Sequence, residues 1–186
     1  MQGPILSRPI ILRFFQFAAI VCVVGCTSSM LSDSRIEAVQ RKKAAKSFNF
    51  TANKSYEEEC TSCHVGFLPG FLPERSWKKL MTGLDDHFGE NASLDEPVNS
   101  AISKYLFTNA ADKPAASARS KKIARMIASN DAPIRITETP FWTRKHHSIK
   151  AYVWKRPKIQ LKSKCEACHR DASKGIFSEF DVQIPK

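Results

Sequence analysis

A chain of 186 residues holding 29 Lys and Arg against 18 Asp and Glu suits one or two small domains. Its formal charge of +11 favours acidic proteins, anionic lipid or anionic ligands as partners. The charge reads as dispersed, without the clustered basic stripe that nucleic acid requires, and nucleic-acid binding is not expected.

Met1 to Phe17 carries Arg8 and Arg13 and no acid, and Phe14 to Gly25 is apolar apart from Gln16. That run is too short to span a bilayer comfortably and suits the core of a signal peptide, assigned here to residues 1–26. Val23-Val24-Gly25-Cys26 resembles a bacterial lipobox, in which Cys26 becomes the lipidated first residue. Ordinary cleavage nearby or an uncleaved anchor are the alternatives. Residues 27–47 are polar and basic and read as a flexible tether, with a loose helix over 34–46.

A first folded region spans residues 48–112. Tyr56 to Glu59 should lead into a helix carrying Cys60-Thr61-Ser62-Cys63-His64. Phe67 to Pro73 follows, an apolar loop that two Pro and two Gly from Gly66 onward keep from becoming helical. Its Phe and Leu side chains should pack either on a flat apolar ligand or in an ordinary core. A helix is predicted from Pro73 to Phe88, closed by Gly89, with Trp77, Leu80, Met81, Leu84, His87 and Phe88 on one face. Ser93 to Glu96 has the form of a capping box, and the helix after it, ending near Asn109, should bury Val98, Ile102, Tyr105 and Leu106. Residues 110–117 mark the boundary between halves.

The second region spans residues 113–186. A basic amphipathic helix over 118–129 should bury Ile123, Met126 and Ile127. Ile134 to Thr137 reads as extended. Thr139 and Pro140 suit an N-cap and a first helical residue, and Trp142, His146 and Ile149 then share a face. Residues 150–164 read as irregular, with Ser163 capping a helix that bears Cys165-Glu166-Ala167-Cys168-His169.

The two Cys-x-x-Cys-His segments are the attachment signature of haem c. Two thiols at that spacing can each add to one vinyl group of a single haem, and the following His can offer its imidazole to the iron. A zinc site would use the four Cys but leave both His as spare ligands, and a redox dithiol would need a βαβ context that is missing from the sequence. Cys60, Cys63, Cys165 and Cys168 are therefore the expected attachment points of two covalent haem c groups, with His64 and His169 on the irons. Attachment of haem c outside the bacterial cytoplasm agrees with a signal peptide. Three His remain: His87, His146 and His147. His87 and one of the adjacent pair would complete two bis-histidine irons, with Met81 as the competing sixth ligand.

Beyond these motifs, the chain resembles the bacterial dihaem cytochrome c family, often called DHC. The resemblance is carried by Cys60 to His64, Phe67 to Pro73, Arg75-Ser76-Trp77 and His87 to Asp95. In the second half it rests on Arg135 to Trp142, His146, Cys165 to Ala172, Phe177, Val182 and Pro185. It spans roughly residues 57–185, and implies a small electron-transfer protein with two low-spin bis-histidine haems. On this likeness the distal ligands are His87 and His146, with the adjacent His147 a departure from the family pattern. The likeness also implies redox protein partners, such as a membrane cytochrome b or another haem protein.

The expected fold is mainly α, short helices and loops packed around two haems with little or no sheet. The expected function is an exported, periplasmic, monomeric electron carrier, not an enzyme, held to the membrane by lipid on Cys26 if the lipobox is used. Six-coordinate irons leave no position for substrate, and no acid/base set flanks the motifs. Two alternatives need one open iron: a dihaem peroxidase-like enzyme recruiting His147 or Glu138, or a haem-based ligand sensor.

Overall fold

In the computed structural model, Phe48 and residues 51–186 are described. The signal region with Cys26, and the tether with its expected helix over 34–46, lie outside the described residues.

Among the described residues six short α-helices follow one another: α1 (Lys54–Cys60), α2 (Glu74–Met81), α3 (Glu96–Thr108), α4 (Ala118–Met126), α5 (Pro140–His146) and α6 (Ala151–Trp154). Single 3₁₀ turns fall at Pro69–Phe71, Leu84–Asp86, Ile136–Glu138, Cys165–Ala167 and Ala172–Lys174. Among the described residues the β-type pairing is confined to a bridge between His87 and Glu90, so the fold is helical and without a sheet.

Side-chain caps start several helices. Asn53 Oδ1 accepts from Tyr56 N at 2.9 Å, Ser117 Oγ accepts from Ser120 N at 3.1 Å, and Thr139 Oγ1 accepts from Trp142 N at 3.4 Å ahead of Pro140. The expected capping box at Ser93 does not form. Asp95 occupies the cap position without a side-chain bond, while Ser93 N donates to Asn91 Oδ1. Nor does α1 carry the first motif: it stops at Cys60, where Thr61 Oγ1 donates to Glu57 O at 2.6 Å, and residues 61–64 form bends. In the second half, 134–137 is not simply extended, because Ile136–Glu138 turns tightly before the cap. A 3₁₀ turn rather than a Ser163-capped helix bears Cys165.

The helix expected over 73–88 ends seven residues early. Thr82 Oγ1 donates to Lys78 O at 3.0 Å and Gly83 N to Leu80 O at 3.1 Å, which closes α2. Leu84 still reaches the core, but through a 3₁₀ turn, and Phe88 is exposed rather than on a buried stripe.

Two apolar clusters hold the described residues together. Tyr56, Leu72, Trp77, Met81, Leu84, Ile102, Leu106 and Ala110 form the first, between α1, α2 and α3. Phe48, Leu68, Phe71, Ile123 and Ile127 form the second, where α4 lies on the Pro69–Phe71 turn. Phe67 and Ile136 touch both. Of the two destinations open to the Phe67–Pro73 loop, core packing takes Leu68, Phe71 and Leu72, each under a tenth exposed. Arg75 fastens the clusters together: Nε donates to Asp131 O at 2.5 Å and Nη2 to Ala128 O at 2.8 Å, just beyond α4. Trp77 Nε1 donates to Pro69 O at 2.8 Å, so this buried indole leaves no donor unpaired.

Candidate haem sites

The first site forms where the chain leaves α1. Cys60 ends that helix half-buried, and Cys63 and His64 lie exposed just beyond it. Burial, then Glu59, pushes the Cys60 thiol up to about 11. His64 Nδ1–H donates to Val65 O at 2.8 Å. A carbonyl can only accept, so the proton sits on Nδ1 and the Nε2 lone pair is free for a metal. Gly66 then brings the chain back over α1: a Cβ there would lie 3.0 Å from Thr61 Cγ2 and 3.3 Å from Tyr56 Cε1. The buried Tyr56 hydroxyl donates to Phe67 O at 2.7 Å, which sets the Phe67 ring 5.0 Å from that of His64.

His87 reaches the same place from a different device. His87 N donates to Glu90 O at 2.7 Å and Glu90 N returns to His87 O at 3.3 Å, a tight reversal with Phe88 at φ 60° and Gly89 at φ 100°. Positive φ at both central positions is the hairpin-turn pattern, unstrained for Gly89 and strained for Phe88. Asp86 Oδ1 accepts from Gly89 N and locks the turn. The His64 and His87 ring centres lie 6.2 Å apart with their planes 27° apart.

The second site takes its two rings from α5 and from the second motif. His146, at the end of α5, donates Nδ1–H to Trp142 O at 2.8 Å and stacks on the Trp142 ring at 4.3 Å. Trp154 completes an aromatic cluster, 5.4 Å from Trp142 and 6.0 Å from His146. The centres of His146 and His169 are 6.3 Å apart with planes near perpendicular, and Phe177 packs 5.2 Å from His169. Burial, then Glu166, pushes the Cys165 thiol up to about 11, and burial also raises that of Cys168. A cavity of about 720 Å³, lined by Trp142, His146, Trp154, Leu161, Arg135 and Ser163 among others, opens beside His146. His147 also borders this cavity, but it is exposed and its Nδ1–H donates to Arg144 O at 2.9 Å.

These side chains fit haem. A metal–imidazole bond of about 2.0–2.1 Å, plus roughly 1.1 Å from nitrogen to ring centre, sets two axial imidazoles roughly 6.3 Å apart through one iron. Both observed separations match it. Burial lowers the His87 imidazole below its ordinary value, with His64 and Arg135 adding to it. Burial lowers His146 and His169 too. Met81, the competing ligand, is buried in the first apolar cluster.

Several residues that shape the sites carry little signal in sequence. Gly66 and Tyr56 act through close approach between segments ten residues apart. Trp154 lies in a stretch read as irregular, where a Trp in a basic run was the available clue. The Arg135 guanidinium lies 4.0 Å above the Phe88 ring and also lines the cavity beside His146, so it touches the surroundings of both sites.

A comparison with curated proteins finds no match. Among solved structures, a dihaem cytochrome c from Rhodobacter sphaeroides is 38% identical over 69% of this chain and 98% of its own, with a TM-score of 0.61. A dihaem cytochrome type c from Shewanella baltica is 36% identical over 72% of this chain and 93% of its own, with a TM-score of 0.59. The model of the dihaem cytochrome c family matches residues 56–177. With two Cys-x-x-Cys-His segments, two facing imidazole pairs and a matching fold, the chain belongs to the dihaem cytochrome c family and carries two covalently bound haem c groups.

Proposed function

We propose that this member of a family of haem electron-transfer proteins is an exported carrier whose irons are both closed by imidazole pairs. His64 and His87 hold one iron, with thioether links through Cys60 and Cys63. His146 and His169 hold the other, with links through Cys165 and Cys168. When bound, haem supplies reversible one-electron iron chemistry. The chain's own part would be to offer two imidazoles to each iron and to pack those rings against Phe67, Trp142 and Phe177. Filled positions leave no place for substrate, which argues for a carrier and against an enzyme or ligand sensor. The supporting observation is the pair of ring-centre separations, 6.2 and 6.3 Å. Electrons would pass to or from a protein partner, such as a membrane cytochrome b or another haem protein. The signal sequence supports a periplasmic location, with membrane attachment through lipid on Cys26.

Absorption and electron paramagnetic resonance spectra of the ferric protein test the ligand set. His87→Ala and His146→Ala should each turn one iron high-spin while both haems stay covalently attached. His147→Ala should leave both low-spin. A high-spin iron in the unaltered protein, or carbon monoxide binding to its reduced form at neutral pH, would overturn the closed-iron reading.

A further inference from the structure

The charge that reads as dispersed is unequally divided between the two haem regions. Residues 48–112 hold ten Asp and Glu against five Lys and Arg, whereas residues 113–186 hold six against 17. The imbalance peaks beside the second site. Residues 150–164 contain Lys150, Lys155, Arg156, Lys158, Lys162 and Lys164 and no acid. Some cations elsewhere are neutralised locally, as Lys78 and Lys113 are by Glu74, Lys145 by Glu179 and Lys174 by Asp171. Among the described residues, no ion pair involves the five lysines of 150–164, all of which are exposed.

Two of these lysines, Lys155 and Lys162, line the cavity beside His146 together with Leu161. Tyr152, 65% exposed, carries the Arg156 guanidinium over its ring. Lys162 Nζ lies over the Trp142 ring, which stacks on His146. Cations around an apolar centre, one ring removed from a redox site, form a surface that draws in a negatively charged protein and seats it near the metal.

We propose that residues 150–164 form the docking face for an acidic redox protein, which exchanges electrons with this chain through the second haem. This rests on the carrier reading above. Next in sequence to the first site stand Glu57 to Glu59, Asp85, Asp86 and Glu90, all exposed, whose charge disfavours the same partner. One electron moves from the reduced partner to the ferric iron, so the partner is oxidised by one electron and the iron reduced by one.

Stopped-flow reduction of the complete dihaem protein by a reduced acidic plant-type ferredoxin tests this. At low salt, Lys150→Glu with Lys155→Glu and Lys158→Glu should slow the bimolecular rate at least about tenfold and flatten its salt dependence. An equal charge change at the exposed Lys79, Lys104 and Lys122 should change it less than about twofold. Reduction by a neutral flavin hydroquinone should be unaffected in both, which reports that the haems are intact. Lys→Gln changes at the first three positions should give an intermediate rate. Equal slowing by both sets, or no slowing by the first, overturns the docking face while leaving the carrier reading in place. A high-spin ferric iron in the unaltered protein instead overturns the carrier reading.

Discussion

Gly70→Ala is a one-carbon change that should loosen the joint between the two clusters. Gly70 is buried in the Pro69–Phe71 turn, and a Cβ there would lie 2.4 Å from Ser120 Oγ and 3.2 Å from Ser120 Cβ. The first distance is inside any van der Waals contact, and the hydroxyl cannot easily yield. Ser120 is 1% exposed, and its Oγ is hydrogen-bonded to Ser117 Oγ at 2.9 Å, within the capped start of α4. Either the turn or α4 must shift, at a cost typical of overpacking, about 1–3 kcal/mol. Pairing the change with Ser120→Ala removes the oxygen but leaves a carbon at the tight 3.2 Å, so rescue should be partial. Urea unfolding of the ferric protein, followed by far-ultraviolet circular dichroism, gives the four free energies of the cycle. Gly70→Ala within about 0.5 kcal/mol of the unaltered protein, or a double variant no more stable than the sum of its parts, would refute the steric account.

Tyr56→Phe should cost about 1–2 kcal/mol, because Phe67 O loses its donor in a part-buried position. It should also alter the alkaline limb of stability. Burial raises the Tyr56 phenol above its ordinary value of 10.0. The unfolded chain therefore releases this proton first, and stability falls as pH rises above about 10. Unfolding free energies measured from pH 9 to 12 should show a shallower fall in the variant. An identical slope would reject the linkage. Arg75→Ala should cost about 2–3 kcal/mol, since a charged donor serves the carbonyls of Ala128 and Asp131 and bridges α2 to the chain after α4. Hydrogen exchange should report lost protection at residues 127–131, and unchanged exchange there would place the effect elsewhere.

The sequence by itself determined the chemistry and most of the helices. Cys60, Cys63, His64, Cys165, Cys168 and His169 are legible because haem attachment needs contiguous residues at fixed spacing. The starts of α4 and α5 are legible because Ser117, Thr139 and Pro140 act within one turn of themselves. Where α2 ends was not legible. A continuous apolar face from Trp77 to Phe88 is compatible with one long helix, but the hydroxyl of Thr82 and the reversal at Phe88–Gly89 break it. Only the tertiary structure decided how His87 meets His64, through a strained turn rather than a helix face, and it sets His146, the member of the pair that the family likeness implied, beside His169. On a helix, neighbouring residues point about 100° apart. Spacing admits either one, and the packing of Trp142 and Trp154 around His146 selects the ring that lies 6.3 Å from its counterpart.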